Sequence, residues 1–100
     1  MNKWMVETSP KILRRVGKTG EESSELSKTC FRIVLQGFDG LDPKTGQPNF
    51  EALLDEVADV YAQLDVTTQA LGLDRIAVEI RRKKKIRQMH EWESLYPGDE

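Results

Sequence analysis

Two pairs of acidic residues occur with the same spacing at two places in the sequence. Glu22 and Glu25 lie three residues apart in the run EESSEL, and Glu56 and Asp59 lie three residues apart in the run LLDEVADV. Residues at this spacing are neighbours on one face of a helix, where two like charges destabilise the helix. Two such helices packed antiparallel would bring four carboxylates together, so a compensating cation is expected.

A hard divalent cation is the natural partner for these carboxylates. Glu56 and Asp59 have apolar residues on both sides, which predicts a position close to the buried stripe of their helix, where an unpaired carboxylate is costly. Mg²⁺ prefers oxygen ligands, keeps several waters and also binds substrate phosphates. Alternatively, these residues are ordinary surface acids paired with Lys18, Lys28 or a basic helix. One pair alone would favour that alternative, whereas two matching pairs on consecutive helices favour the metal site.

A carboxylate-bridged di-iron site is a second kind of metal site that an acidic helical bundle can form. It needs Glu-x-x-His motifs on two helices. His90 is the sole histidine of the sequence, and the residue three positions before it is Arg87. The sequence therefore disfavours a di-iron site.

The acidic runs also resemble a known family. The run EESSEL (21–26), followed after a loop by DEVADV (55–60), resembles the pattern Glu-Glu-x-x-Glu and Glu-x-x-Asp of the MazG-like all-α nucleoside triphosphate pyrophosphohydrolases. The likeness extends from about Gly17 to Trp92. The segments VGKTGEESSEL and QGFDGLDPKTGQPN are most similar to short, phage- or prophage-type members.

This resemblance implies an activity and a set of site residues. It implies hydrolysis of a nucleoside triphosphate to the monophosphate and pyrophosphate, with Mg²⁺, for which Mn²⁺ can substitute, and a homodimer or homotetramer. The metal ligands that it implies are Glu22, Glu25, Glu56 and Asp59. Glu22 and Glu21 are the catalytic residues expected by the same likeness, with Glu21 assigned to a second layer of contacts or to orienting the attacking water.

Basic residues are the candidates for binding substrate phosphates. Lys18 lies in a basic N-terminal block, and Lys84 and Arg87 lie in the run RRKKKIR (81–87). The run departs from the family pattern, because members often carry an asparagine in this region and this segment has none. A helix spreads consecutive residues around its circumference, so only about half of the run could face one ligand. Of three interpretations of this basic run, a solvent-exposed helix face is the most favoured, contacts with substrate phosphates come second, and binding of nucleic acid is the least favoured.

The elements that would position these residues form an all-α protomer of about four helices. Ser9 and Pro10 start a short first helix. Gly17 and Gly20 either break this helix, or the helix continues through them at a cost of about 1 kcal/mol for each glycine. A second helix runs from Glu21 to the loop 37–49, which is rich in glycine and proline and long enough to suggest a lid or a binding loop. The third is capped by Asn49 and stopped by Gly72, and the fourth runs from Asp74 to near Trp92.

Length and composition limit the number of domains and the classes of protein that fit this sequence. One hundred residues suffice for a single domain, 1–100, whose small core favours a helical bundle completed by oligomerisation. No apolar run approaches the roughly 20 residues of a membrane span, and the N-terminal residues lack the apolar stretch of a signal peptide. A cytoplasmic protein of a bacterium or a phage-infected host is expected. Cys30, the single cysteine, is expected to be buried on a helix.

Two other functions stay open at this point. One is a non-catalytic helical protein that binds nucleic acid or a protein partner through the basic fourth helix, in which the acidic cluster only pairs with that helix. The other is a phosphoribosyl-ATP pyrophosphatase, a related class that shares the acidic motif. The loop 37–49 favours the first family over this class.

Overall fold

The computed structural model describes residues 7–98, and these form three α-helices joined by two connections. The helices are α1 (Pro10–Gln36), α2 (Asn49–Ala70) and α3 (Arg75–Glu93). No strand occurs in the described part, where Leu41 and Pro48 make one isolated bridge. The all-α class is therefore confirmed, whereas about four helices were expected. Residues 1–6, on which the expectation about a signal peptide depended, lie outside the described range.

The difference in helix number arises because the two expected N-terminal helices form the single helix α1. Ser9 caps it by accepting a hydrogen bond from the Ile12 amide over 3.4 Å, and Pro10 occupies its first turn. The helix continues through Gly17 and Gly20. Thr19, which lies between these glycines, contacts α2. Packing against α2 thus offsets the low helix propensity of the two glycines.

Helices α1 and α2 pack antiparallel. At one end the hydroxyl oxygens of Thr19 and Thr67 lie 2.6 Å apart, and at the other end Asn49 Nδ2 donates to the Gly37 carbonyl over 3.0 Å. Thr29, Asn49 and Ala52 are the buried residues of the described part, so the interface between the helices is narrow. Cys30 lies on the exposed side of α1, and the prediction that it is buried is wrong.

The loop between α1 and α2 is held by its own hydrogen bonds. Gly40 accepts from the Asn49 amide over 2.8 Å, and Phe38 accepts from the Phe50 amide over 3.1 Å. Asp42 pairs with Arg32 at 3.1 Å and accepts from two loop amides. Asn49 was expected to cap α2, but Pro48 occupies that position. Asn49 instead uses its side chain to join the start of α2 to the end of α1.

Helix α3 follows a tight turn and buries none of its residues. Gly72 adopts a φ of 62° just after α2, and Asp74 caps α3 by accepting from the Ile76 and Ala77 amides over 2.9 and 3.1 Å. The expected stop at Gly72 and cap at Asp74 are both confirmed. Among the described residues, only α1 and α2 pack extensively against each other. Among residues 7–98, no helical segment combines the length and the hydropathy that a membrane span requires.

Candidate metal centre

The antiparallel packing of α1 and α2 brings the two acidic motifs together. One carboxylate oxygen from each of Glu22, Glu56 and Asp59 lies within 4.8 Å of the corresponding oxygens of the other two residues. We call these three residues the acidic triad. Glu25, the fourth expected ligand, is not part of it and lies 3.5 Å from Lys28 Nζ. The sequence predicts one metal site with four carboxylates, and the structure brings three of them within reach of a single ion.

Glu56 is the residue of the triad whose charge is least compensated. Its Oε2 atom is buried and accepts no hydrogen bond from the described protein atoms. Burial raises the pKa of Glu56 above its usual value, and the negative charges of Asp59, Glu22 and Glu25 raise this pKa further. An ionised Glu56 is therefore destabilised where it stands, and a cation at the triad would stabilise the ionised carboxylate and offset the repulsion from its acidic neighbours.

The triad fits a hard divalent cation by its chemistry. Its donors are all carboxylate oxygens, which suit Mg²⁺ or Mn²⁺ and not a thiophilic metal. Asp59 is exposed and Glu22 and Glu56 are half-buried, so an ion there would keep one side open to water. Neither Glu56 nor Asp59 forms an ion pair within residues 7–98, which removes a structural salt bridge as the reason for their position.

Lys18 lies at the edge of the triad and pairs with the first acidic motif. Its Nζ atom is 3.3 Å from Glu21 Oε1 and 3.6 Å from Glu22 Oε1. The hydrogen bond and charge of Glu21, followed by the charge of Glu22, raise the pKa of Lys18. Glu21 is not a member of the triad and its side chain is 61% exposed, so it stands at the rim beside Lys18.

A groove of about 1040 Å³ adjoins the triad along the first turns of α1. Lys18 links the two, because it lines the groove and contacts Glu22. The groove combines four basic side chains with an apolar wall that α2 contributes near its C-terminus. The basic residues that line it are Lys11, Arg14, Arg15 and Lys18, and the apolar wall is formed by Val66, Ala70 and Leu71.

Arg15 is the most buried of the four basic residues in this groove. Its Nε atom donates to Thr67 Oγ1 over 3.1 Å, while its Nη2 atom is buried and has no described hydrogen-bond partner. Of these four basic residues, Lys18 is the one that the sequence predicts to bind substrate phosphates. The spacing of Lys11, Arg14, Arg15 and Lys18 along one helix face was the signal that could have identified the rest.

The other expected phosphate ligands are not brought to this groove by the chain itself. Lys84 and Arg87 lie on the exposed helix α3, and neither lines the groove. The groove of a single chain therefore lacks these two side chains.

Comparison with known proteins leaves the site to be interpreted from its own chemistry. No protein-family model, no curated protein and no solved structure matches the chain.

Proposed function

We propose that this protein is a Mg²⁺-dependent nucleoside triphosphate pyrophosphohydrolase that converts a ribo- or deoxyribonucleoside triphosphate to its monophosphate and pyrophosphate. The observation that carries the proposal is the convergence of Glu22, Glu56 and Asp59 around a Glu56 oxygen with no hydrogen-bond partner. The similarity of the acidic runs to the MazG-like pattern supports the same activity.

The acidic triad would hold Mg²⁺, with Glu25 close enough to add its charge. The metal, when bound, neutralises phosphate oxygens and lowers the pKa of a coordinated water. In the reaction a water oxygen forms a bond to phosphorus while the bond to the oxygen bridging the α- and β-phosphates breaks. Glu21, at the rim, would orient the attacking water. No serine, cysteine or histidine nucleophile is needed.

The basic groove supplies a place for the polyphosphate beside the triad. Lys18, whose side chain is 48% exposed, would exchange its contacts with Glu21 and Glu22 for a phosphate oxygen. Arg14 and Arg15 continue the same positive face, and arginine binds phosphate through two parallel hydrogen bonds. The apolar wall near Leu71 suits the face of a base.

The protein would act as a homodimer or homotetramer in the cytoplasm of a bacterium or of a phage-infected host. In such an assembly Lys84 and Arg87 of one copy can serve the groove of another. This arrangement would keep the two residues in the role of substrate ligands that the sequence analysis gave them.

The decisive experiment measures pyrophosphate and monophosphate release from a panel of nucleoside triphosphates, with Mg²⁺ and with EDTA. Glu56→Gln is expected to lower the rate by about 100-fold or more, equivalent to about 2.7 kcal/mol of transition-state stabilisation. Asp65→Asn is the matched control, because Asp65 is an exposed acid on the opposite face of α2. Wild-type protein that releases no pyrophosphate from any substrate with Mg²⁺ would overturn the proposal.

A second function, binding of nucleic acid or a protein partner without catalysis, is favoured by one observation. Helix α3 carries seven arginine and lysine residues and buries none of its residues. If α3 is a nucleic-acid contact, affinity for DNA or RNA falls steeply with salt concentration, and Glu56→Gln leaves it unchanged. The activity assay and a salt-dependent binding assay therefore separate the two functions.

A further inference from the structure

The groove along α1 extends well beyond the acidic triad. Its basic residues, which we call the basic row, are Lys11, Arg14, Arg15 and Lys18. The helical rise places Lys18, Arg15 and Lys11 about 6, 10.5 and 16.5 Å from Glu22 along the axis of α1. The groove volume of about 1040 Å³ slightly exceeds the usual range for ligand pockets, about 300–1000 Å³. The groove therefore has room for more than the pyrophosphate that leaves in the proposed reaction.

The apolar wall of the groove lies at the end that is far from the triad. Its residues Val66 and Ala70 follow Asp59, the last triad residue along α2, by seven and eleven positions, which corresponds to about 10–17 Å along the helix. Arg15 Nε donates to Thr67 Oγ1 over 3.1 Å, so the wall stands opposite the middle of the basic row. The side chains of the wall form no hydrogen bonds, and they offer a flat ring an apolar surface.

Charge determines which part of a substrate enters the groove. With its α-phosphate at the triad, a nucleoside triphosphate has a neutral nucleoside on one side of that phosphorus and the anionic β- and γ-phosphates on the other. Lys18 is the groove residue that contacts the triad, and Arg15 follows it with a buried Nη2 atom that has no described hydrogen-bond partner. Phosphate oxygens form stronger, charge-assisted hydrogen bonds with both groups than a neutral ribose does. The phosphates of the leaving group therefore enter the groove.

This direction leaves the apolar wall beyond the phosphates of the leaving group. A nucleoside triphosphate ends at its γ-phosphate, so no apolar group of that substrate reaches Val66, Ala70 or Leu71. A phosphate chain that carries a second nucleoside at this end would place its phosphates along the basic row and the face of its base against the wall. Removal of apolar surface from water then adds to the binding of the charged chain.

We propose that the groove binds the second nucleoside of a dinucleoside polyphosphate, and that such compounds are substrates of the same site. The inference rests on the hydrolytic activity proposed above. A water oxygen forms a bond to the phosphorus at the triad, and the bond from that phosphorus to the bridging oxygen breaks. This oxygen leaves with the rest of the chain as a nucleoside polyphosphate, and the protons of the water pass to the product phosphates or to solvent. Diadenosine triphosphate and water thus give AMP and ADP, with no further reactant.

The first test compares the hydrolysis of diadenosine triphosphate and of ATP by the full chain with Mg²⁺, with AMP measured by chromatography. The kcat/KM of wild type for diadenosine triphosphate is expected to be within about tenfold of that for ATP, or above it. Leu71→Ser removes part of the apolar wall and is expected to lower kcat/KM for diadenosine triphosphate about tenfold more than kcat/KM for ATP. Leu73→Ser is the matched control, because Leu73 is a 46% exposed leucine that does not line the groove, and it is expected to change neither constant.

The second test needs neither metal nor turnover. Calorimetric titrations in EDTA measure the dissociation constants of ADP and of pyrophosphate, which carry the same number of phosphates. Wild type is expected to bind ADP about tenfold more tightly, because only ADP has a nucleoside that reaches the wall, and this ratio does not depend on any variant that folds. Leu71→Ser is expected to bring the two constants close together, whereas Arg15→Gln is expected to weaken both ligands because it removes a phosphate donor.

The outcomes distinguish this inference from the proposed function. Cleavage of ATP with diadenosine triphosphate left intact would overturn the inference and keep the pyrophosphohydrolase activity. Cleavage of diadenosine triphosphate alone would support the inference and overturn the activity on nucleoside triphosphates, and cleavage of neither compound would overturn both. ADP that binds no more tightly than pyrophosphate, or a loss in Leu71→Ser that is equal for the two substrates, would also overturn the site for a second nucleoside.

Discussion

Replacing Glu56 with glutamine removes the charge at the centre of the acidic triad while keeping the size of the side chain. One of its carboxylate oxygens lies within 4.8 Å of one oxygen of Glu22 and one of Asp59, and two unit charges at this separation in water repel by about 0.9 kcal/mol. Both repulsions disappear in Glu56→Gln. We expect the free energy of unfolding in EDTA to rise by about 2 kcal/mol, because two such terms are removed.

The assay is urea denaturation followed by circular dichroism, at one protein concentration and neutral pH, so that subunit dissociation contributes equally to each sample. A thermal scan offers a second readout, with a rise of about 4–8 °C per kcal/mol for a domain of this size. Asp65→Asn, on the far side of α2, serves as the control and should change little.

Magnesium should reverse the order of stability. A cation held by the triad stabilises the wild-type fold by about 2.7 kcal/mol at a concentration 100 times its dissociation constant. Glu56→Gln should lose nearly all of that gain, which exceeds the roughly 2 kcal/mol by which the variant is more stable in EDTA. The variant is therefore expected to be the more stable protein in EDTA and the less stable one in Mg²⁺. If Glu56→Gln is destabilised in EDTA, Glu56 has a structural role in the apoprotein and our reasoning about the triad is wrong.

Three further predictions follow from the same structure. Because the folded state raises the pKa of Glu56 above its usual value of 4.5, the Glu56 contribution should make the metal-free protein more stable as pH falls from neutrality towards 4.5. Glu56→Gln should lose this trend in a pH series of urea denaturations. Gly40→Ala should lower the free energy of unfolding by about 1–3 kcal/mol, since a Cβ there would lie 2.8 Å from Gln36 Cβ and 2.9 Å from Asn49 Nδ2. Gly20→Ala, in open space on α1, should instead raise the free energy of unfolding by about 0.5–1 kcal/mol. Equal effects of the two substitutions would contradict the packing described for Gly40. Asn49→Ala should cost about 1–3 kcal/mol, because it removes the side-chain donor that satisfies the Gly37 carbonyl, and a calorimetric change below about 0.5 kcal/mol would count against that bond as the tie between α1 and α2.

Local signals in the sequence were sufficient for most helix boundaries. Ser9 and Pro10 start α1, and Asp74 caps α3, because these residues satisfy free amides through their own side chains or remove one. Gly72 follows the end of α2 because it adopts a positive φ at low cost. These effects act over three or four residues, so the sequence around each boundary contains the whole cause.

The joining of the first two expected helices into α1 could not be read from such signals. Gly17 and Gly20 weaken a helix locally, and only the contact between Thr19 and Thr67, residues 48 positions apart, shows why the helix continues. Asn49 presents the same difficulty, since its side chain reaches Gly37 in the preceding helix and leaves the cap position to Pro48. Long-range contacts decided both outcomes.

The candidate site likewise combines features that the sequence predicts with features that only the packing of the helices determines. Spacing alone put Glu22 and Glu25 on one helix face and Glu56 and Asp59 on another, because the helical repeat is a property of the backbone. Which of the four carboxylates meet depends on the register and rotation of α1 against α2, and this brings in three and leaves Glu25 beside Lys28. The burial of one Glu56 oxygen and the groove along Arg15 are likewise properties of the packed pair, since each needs atoms from both helices.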